Sequence, residues 1–203
     1  IMIINFTLKI LATFGLILLS PLIAISLLLI LIEDGLPVLF IQNRLGLNKK
    51  VFRIYKIRTM YKETPNLGTH DVSSSQYLKV GKILRKLKID ELPQIFNFIK
   101  GDINLIGPRP NLPNQGELIK YRDKDCVFSI IPGISGLAQV LGFDMSNPRL
   151  LSNIDALYIR KKSYKLDILI FIATFLKSYR KKLALKFKNE ILKYTEEQND
   201  KFF

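Results

Sequence analysis

The stretch LRKLKIDELPQIFNFIKGDINLIGPRP, from Leu84 to Pro110, decides the fold and the chemistry predicted for this 203-residue chain. Two adjacent carboxylates, Asp90 and Glu91, open an apolar-periodic helix that basic residues precede. Arg109, held between two prolines, follows that helix. One carboxylate can act as a nucleophile while its neighbour binds Mg²⁺, and a helix N-terminus favours a phosphate nearby. The pattern therefore indicates phosphoryl chemistry on an anionic substrate.

Each of these residues also fits an ordinary structural role. Asp at an N-cap, acid in the first turn and Pro93 early in the helix together make a common helix start. The prolines around Arg109 fix its backbone and would present its guanidinium to a phosphate, but they fit a solvated surface loop equally well. From the residues alone, both interpretations of Asp90, Glu91 and Arg109 stay open.

Four further residues are weaker candidates. Lys56, Arg58 and Arg85 are basic positions that a solvated surface also explains, and Asp155 is an acidic position on a predicted helix. The sequence carries no Gly-rich phosphate loop, no Cys/His zinc spacing and no nucleophile elbow.

The chain is both basic and apolar. Its formal net charge is +14, its pI is near 9.8 and its mean hydropathy is +0.18. An anionic partner is expected, and nucleic acid, an anionic lipid leaflet and a phosphorylated substrate all fit that charge. Cys126 is the single cysteine in the sequence, which excludes an internal disulfide and indicates a reducing compartment.

The apolar residues are concentrated near the N-terminus. Ile10 to Ile32 contains no charged residue across 23 positions, and a helix of that length would rise roughly 34 Å. No small-residue cleavage pattern precedes Glu33, which disfavours a secretory signal. Ser20 and Pro21 predict a bend or break, because proline removes one backbone donor. The segment is therefore a kinked span or a re-entrant hairpin, and hydropathy alone slightly favours the span.

Flanking charges predict the orientation of this segment. Only Lys9 precedes it closely, whereas seven cations and no acid lie between Asp34 and Glu63. By the positive-inside rule, the globular part faces the cytoplasm. The chain begins with Ile rather than Met, so we expect its natural start to be missing or misassigned.

Hydrophobic periodicity predicts strands at Val38 to Ile41 and Val51 to Ile57. Ser73 to Ser75 offer an N-cap to a following helix. The predicted buried side of that helix consists of Tyr77, Val80, Ile83, Leu84 and Leu87. A second helix is predicted to start at Asp90 and to stop at Gly101, and a short strand is predicted at Ile103 to Ile106.

The C-terminal part of the chain predicts further helices. One helix is predicted from Leu150 to Lys161. The apolar segment from Leu166 to Leu176 is too short to span a bilayer and is interpreted as interfacial. Lys177 to Lys188 is dense in lysine and suits anionic headgroups. Together these elements predict an α/β fold, specifically a helix-rich α+β domain.

These stretches resemble the bacterial sugar transferases, the small monotopic phosphoglycosyl transferases that start lipid-linked glycan assembly. The resemblance covers the 140 residues from Pro37 to Leu176. Beside the opening stretch, it is carried by PVLFIQNRLG (Pro37 to Gly46), FRIYKIRTM (Phe52 to Met60) and PGISGLAQV (Pro132 to Val140), and it continues at Asp155 to Ile159 and Ser163 to Asp167.

The resemblance implies a two-step reaction. Asp90 would attack the β-phosphate of a UDP-sugar, release UMP and carry the phosphosugar. The phosphate of a polyprenyl (undecaprenyl) carrier would then displace Asp90. Glu91 would hold Mg²⁺, and Arg109 would bind phosphate oxygens. The other substrate-binding positions implied by the family are Lys56, Arg58, Arg85 and Asp155.

The resemblance also reverses the preference for a spanning helix. In the family, a Ser-Pro pair at the centre of the apolar segment marks a re-entrant hairpin, and Ser20 and Pro21 match it. The implied architecture is a single cytoplasmic domain on this re-entrant helix, with interfacial amphipathic helices on the anionic inner leaflet of a bacterial cytoplasmic membrane. The predicted boundaries are 1–34 for the membrane helix, 35–176 for the catalytic domain and 177–203 for the basic tail. No nucleic-acid partner is expected.

Three positions depart from the family pattern. Leu8 stands near the family's acid before the membrane segment, Leu141 to Phe143 replaces Asn-Gly-Arg, and Ile131 replaces a basic residue. These positions lie near the presumed sugar or phosphate pocket. The donor sugar is therefore not predicted beyond a preference for N-acetylated amino sugars, and O-antigen, capsule and glycoprotein pathways are not distinguished.

Two alternatives remain. A non-catalytic, membrane-anchored basic scaffold is supported by the charge of +14 and the lysine-rich tail, but no nucleic-acid motif accompanies them. A degenerate transferase that keeps the fold without the activity is the closer rival. The intact block around Asp90 and Glu91 favours a working enzyme over both.

Overall fold

Residues 2–64 and 76–199 are described by a computed structural model. The chain divides into two units, one formed by Ile1–Arg44 with Phe52–Asp102, the other by Leu45–Val51 with Ile103–Phe203. Helices predominate over two small two-stranded sheets among the described residues, which agrees with the predicted helix-rich α/β class. The functional division at residues 34 and 176 stays a prediction.

The first unit begins with the apolar segment, which forms a single helix. Its elements are α1 (Met2–Asp34), β1 (Leu39–Leu45) except its last residue, β2 (Val51–Ile57) except its first residue, α2 (Lys79–Lys86) and α3 (Gln94–Lys100). Helix α1 is not interrupted at Pro21, so a complete break at that position is wrong. By length and composition, Thr7–Asp34 is sufficient to cross a membrane. Both predicted strands are confirmed, and they pair with each other.

The C-terminal part of α1 belongs to the core of this unit. Ile30 is fully buried and clusters with Ile57, Leu78 and Leu84. The Glu33 carboxylate accepts hydrogen bonds from the backbone N–H groups of Lys79, at 2.6 Å, and Val80, at 3.0 Å. A side chain of α1 therefore satisfies the first donors of α2. The predicted N-cap at 73–75 lies outside the described residues.

The N-terminal part of α1 meets the same unit. A Cβ placed on Gly101, at the C-cap of α3, would lie 3.4 Å from Lys9 Nζ. The ammonium group is thus close to the carbonyl end of α3, where the partial charge is negative. Both ends of the uncharged stretch of α1 consequently contact elements of the first unit.

Helix α2 is rotated relative to the prediction. Ile83 and Leu87 are 59% and 61% exposed, so their assignment to the buried side is wrong. The cause is Gly81, because a Cβ there would lie only 2.2 Å from the Thr59 carbonyl oxygen. The glycine lets the helix backbone rest directly on the chain after β2, and this contact selects the face containing Gly81 and Leu84 for burial.

The helix predicted to start at Asp90 begins later. Ile89–Glu91 forms a 3₁₀ turn that follows Lys88 in the left-handed conformation, and α3 starts only at Gln94. Pro93 separates the two because its ring lacks a backbone donor. The carboxylates therefore lie on a short turn of their own, between α2 and α3.

The second unit is mainly helical. Its elements are β3 (Asn104–Ile106), α4 (Gly116–Lys124), β4 (Gly133–Ser135), α5 (Leu137–Leu141), α6 (Pro148–Lys161), α7 (Tyr164–Phe175), α8 (Lys177–Lys186) and α9 (Lys188–Asn199). Strand β3 and helix α6 confirm the predicted elements at 103–106 and 150–161. The core joins α5, α6 and α7 through residues such as Leu137, Ile154 and Ile170.

Close backbone contact between β3 and β4 fixes the turn that carries Arg109. The strands are parallel, with Asn104 opposite Gly133 and Ile106 opposite Ser135. A Cβ on Gly133 would lie 2.1 Å from the Gly107 nitrogen, and one on Gly136 would lie 2.3 Å from the Gly107 carbonyl oxygen. Side chains larger than hydrogen are therefore excluded at both positions.

Gly133→Ala is expected to lower the free energy of unfolding by about 1–3 kcal/mol, because the added methyl group forces the two strands apart. Thermal unfolding of the purified protein in detergent measures the change. Gly116→Ala is the matched control, since no atom lies within 4 Å of its Cβ position. Equal midpoints for the two variants would contradict the close-contact explanation.

Candidate active site

The first unit brings four of the predicted residues together around the 3₁₀ turn. Lys56 Nζ, from β2, forms an ion pair with Glu91 Oε1 at 2.8 Å. The side chains of Lys56 and Glu91 are only 14% and 20% exposed. Asp90 lies in the electrostatic field of Lys56, Glu91 and Arg85. The structure therefore brings these four predicted site residues together, and their roles toward substrate stay predictions.

Asp90 is the most deeply buried member of this cluster, at 6% exposed. Burial raises the pKa of its carboxyl above the usual range, with the adjacent Glu91 acting in the same direction, while Lys56 and Arg85 oppose the shift. A carboxylate in this environment has little water around it and cations on hand. Such a group can attack an electrophile without first shedding a full hydration shell.

Two contacts hold the cations of the cluster in place. The Arg85 guanidinium lies over the Tyr77 ring, 4.7 Å from its centroid, in the geometry of a cation–π contact. Asn97, which is fully buried, donates from Nδ2 to the Arg53 carbonyl oxygen at 2.7 Å and accepts from the Tyr55 backbone N–H at 3.2 Å. Helix α3 is thereby joined to the strand that presents Lys56.

Sequence reasoning missed Asn97. The available signal was a polar residue inside the apolar run Ile95 to Ile99, since a buried amide in such a run needs specific partners. Its Nδ2 also donates to Asp102 Oδ2 at 3.2 Å. Asn97 therefore joins β2 to the end of the α3 segment at Asp102.

Arg58 has its partners at the end of α1. It is 4% exposed, and its guanidinium donates to the Asp34 carboxylate and, at 2.7 Å, to the Gly35 carbonyl oxygen. The hydrogen bond from Arg58 lowers the pKa of Asp34. The structure thus gives Arg58 a clear role in attaching the end of β2 to α1, and its predicted contact with substrate stays a prediction.

The second unit contains the other two predicted residues, Arg109 and Asp155. Arg109 lies in the turn after β3 and is partly buried. Asp155, on α6, is 2% exposed and accepts from Arg122 Nη2 at 2.6 Å. Arg122 Nη1 donates in turn to the Arg109 carbonyl oxygen at 2.8 Å. Arg122 was missed, because nothing in its sequence surroundings separates it from a solvated helix cation.

The carboxylate pair is compatible with Mg²⁺. No group of three His, Cys, Asp or Glu side chains that could hold a metal occurs within 2–64 and 76–199. Mg²⁺ does not require such a cage, because it commonly takes one or two protein carboxylates and completes its shell with water and substrate phosphates. Asp90 and Glu91 provide two carboxylates, and their oxygen atoms are the hard ligands that Mg²⁺ prefers.

Comparison with known proteins extends these observations. The model of the family described as "Bacterial sugar transferase" matches residues 3–181. The chain is 41% identical over 165 residues to a UDP-N-acetylgalactosamine-undecaprenyl-phosphate N-acetylgalactosaminephosphotransferase of Aeromonas hydrophila, covering 76% of this chain and 38% of that protein.

Two further relatives are similar at lower identity. The uncharacterized sugar transferase EpsL of Bacillus subtilis is 36% identical over 156 residues, with 76% of each chain covered. A UDP-glucose:undecaprenyl-phosphate glucose-1-phosphate transferase of Caulobacter vibrioides is 34% identical over 166 residues, with 76% of this chain and 61% of that protein covered. The matched part of this chain therefore corresponds to between about two fifths and three quarters of these relatives.

Asp90→Asn is expected to stabilise the protein at neutral pH by about 1 kcal/mol, because the amide removes a buried charge. Because the pKa of Asp90 is raised in the folded state, its ionised carboxylate destabilises that state at pH values above the ordinary carboxyl pKa of 3.8. The stability gained by the variant over the wild type should therefore be greatest near neutral pH. It should shrink in acid, where Asp90 of the wild type is protonated in both the folded and the unfolded state. Thermal midpoints at several pH values, with Asp123→Asn as an exposed control, measure it. A variant less stable than wild type at neutral pH would contradict this explanation.

Proposed function

Because the chain belongs to the bacterial sugar transferase family, we propose that it transfers a sugar-1-phosphate from a UDP-sugar to polyprenyl phosphate. The product would be a polyprenyl-diphosphate-sugar, the first lipid-linked intermediate of a glycan or polysaccharide. The observation that carries the proposal is the buried Asp90 carboxylate, which lies in the electrostatic field of the cations Lys56 and Arg85 and next to Glu91 in the chain. A solvated helix cap would not need this environment.

In the first step of the proposed reaction, an Asp90 carboxylate oxygen attacks the β-phosphorus of the UDP-sugar. The bond from that phosphorus to the bridging oxygen breaks, UMP departs with the electron pair, and a phosphosugar is esterified to Asp90. Burial of Asp90 supports this role, because the nucleophile is poorly hydrated and the nearby cations offset the charge of the diphosphate.

In the second step, an oxygen of polyprenyl phosphate attacks the same phosphorus. The acyl phosphate bond breaks, Asp90 returns to a carboxylate, and the diphosphate link to the carrier forms. Each step exchanges one phosphorus–oxygen bond for another and needs no oxidant or external energy source. One nucleophile thus serves both substrates in turn, as in other covalent mechanisms.

The proposal assigns the remaining residues by their chemistry. Glu91 would help to bind Mg²⁺, and the metal when bound would neutralise charge on the phosphate oxygens. The Lys56 ammonium, held at 2.8 Å from Glu91, keeps that carboxylate oriented beside Asp90. Arg85, together with Arg109 in the turn after β3, would bind nucleotide or phosphate oxygens, for which a guanidinium is well suited.

The donor sugar is proposed from the relatives. The Aeromonas protein carries N-acetylgalactosamine in its name and the Caulobacter protein carries glucose. UDP-N-acetylgalactosamine is the first donor to examine, because the identity to the Aeromonas protein is higher. Undecaprenyl phosphate, which both names contain, is the proposed acceptor.

For the membrane, we propose the re-entrant arrangement on the cytoplasmic face of a bacterial inner membrane. Lys9 lies beside Gly101 and Asp34 binds Arg58, so both ends of the apolar stretch contact the unit that contains Asp90. A spanning helix would separate these ends by the roughly 30 Å hydrocarbon core. A unit with strands and polar turns cannot extend through that layer.

Exposed apolar and basic helix faces support contact with an anionic leaflet. On α7, Tyr164, Ile168, Phe171 and Phe175 are each at least half exposed and lie along one stripe. The next helix, α8, contributes exposed lysines at 177, 181, 182 and 186. An apolar stripe beside lysines is the pattern of a helix lying in the interface of an anionic leaflet.

UMP release from a panel of UDP-sugars tests the proposed reaction. Detergent-solubilised wild type should release UMP from one donor, dependent on Mg²⁺, and should form lipid-linked sugar only when polyprenyl phosphate is added. Asp90→Asn should reduce release by at least about a thousandfold, because the nucleophile is lost. Asp123→Asn, an exposed carboxylate on α4, should retain activity.

Two outcomes would contradict the proposed reaction. Release that survives Asp90→Asn would remove Asp90 from its role. A folded wild type that releases no UMP from any donor would favour the degenerate transferase or the basic scaffold.

Cysteine labelling tests the re-entrant arrangement. In a Cys126→Ser background, Thr7→Cys and Leu36→Cys should both be protected from an impermeant maleimide in intact spheroplasts and labelled after permeabilisation. Leu18→Cys, in the apolar centre of α1, controls for burial in lipid. Labelling of Thr7→Cys alone in intact spheroplasts would establish a spanning helix instead.

A further inference from the structure

Arg122 is a buried cation outside the cluster around Asp90. It is 2% exposed on α4, and a buried guanidinium is stable only when acceptors surround it. Three acceptors from outside α4 pair with its terminal nitrogens Nη1 and Nη2: the Arg109 carbonyl oxygen at 2.8 Å, Asn111 Oδ1 at 3.0 Å and Asp155 Oδ2 at 2.6 Å. One guanidinium therefore connects a loop to a helix that lies far from it in sequence.

Two of these acceptors belong to the loop that carries Arg109. Asn111 is fully buried, its Nδ2 donates to the Leu112 carbonyl oxygen at 2.9 Å, and its own carbonyl oxygen accepts from the Leu45 backbone N–H at 3.0 Å. At the other end of the loop, Gly107 is fixed against Gly133. The backbone on both sides of Arg109 is thus held from inside the second unit.

We infer that Arg122 is a positioning residue for Arg109, and that Asp155 serves the reaction by holding Arg122. The inference rests on the proposed role of Arg109 in binding substrate phosphate. It assigns Arg122 no contact with substrate. Arg122 and Asp155 form a buried ion pair with no net charge, which offers little attraction to an anionic substrate. We therefore assign the pair the role of fixing the position of the loop.

The chemistry of the guanidinium explains why this position needs arginine. Nη1 and Nη2 point to different acceptors at fixed angles, so the loop and α6 are held in one geometry. Lysine keeps the charge and can still pair with Asp155, but its single nitrogen cannot reproduce the fork. Arg122→Lys therefore preserves the ion pair and loosens the loop.

A double-mutant cycle with Arg109 separates positioning from general support of the fold. Arg122→Lys should lower kcat/KM for the UDP-sugar about tenfold, since small displacements of a binding group are costly. In the Arg109→Ala background, the same substitution should change kcat/KM less than about twofold, because the group it positions is already absent. Asp123→Asn, the adjacent exposed residue on α4, should change neither.

Each outcome of the cycle is decisive. Equal fold-losses in the two backgrounds would show that Arg122 acts on folding alone and would overturn the inference while leaving the proposed function intact. An active wild type that Arg109→Ala does not impair would remove the premise about Arg109. A wild type without transfer activity would overturn the proposed function and the inference together. If Arg122→Lys does not fold, Asn111→Ala takes its place, because it removes one neutral acceptor of Arg122. Its effect on kcat/KM should also depend on the presence of Arg109. An effect of Asn111→Ala that does not depend on Arg109 would refute the inference.

Discussion

Burial of the Asp90 carboxylate is the constraint on which the first unit depends. A carboxylate that is 6% exposed needs cations nearby and cannot rely on water. Lys56 on β2 and Arg85 in the last turn of α2 supply positive charge at Asp90, and each cation is held by a contact of its own, with Glu91 and Tyr77 respectively. Three features position these groups: the pairing of β1 with β2, the contact of Gly81 in α2 with Thr59, and the short 3₁₀ turn at Ile89–Glu91.

The C-terminal part of α1 and the turn that carries Asp90 share one core. Ile89, which immediately precedes Asp90, packs against the cluster that contains Ile30 of α1. Arg58 and Glu33 add polar contacts between α1 and the segments beside that cluster. A change in α1 would thus be transmitted to the turn that carries the carboxylates.

Sequence patterns predicted elements better than they predicted partners. The strands and α6 follow from periodicity, and the candidate residues Asp90, Glu91, Lys56 and Arg85 were singled out from residue chemistry and family motifs. The rotation of α2 could not be predicted, because it depends on the contact of Gly81 with Thr59, 22 positions away. Asn97 and Arg122 were missed for a similar reason, since their acceptors are distant in sequence and only the folded chain brings them within hydrogen-bond distance.

The most direct test of the central claim is the intact mass of the wild type after incubation with its UDP-sugar and Mg²⁺ in the absence of acceptor. The account predicts an added mass equal to one phosphosugar, located on Asp90 by peptide mapping, absent in Asp90→Asn and discharged when polyprenyl phosphate is added. UMP release without any covalent adduct, or an adduct on another residue, would contradict it.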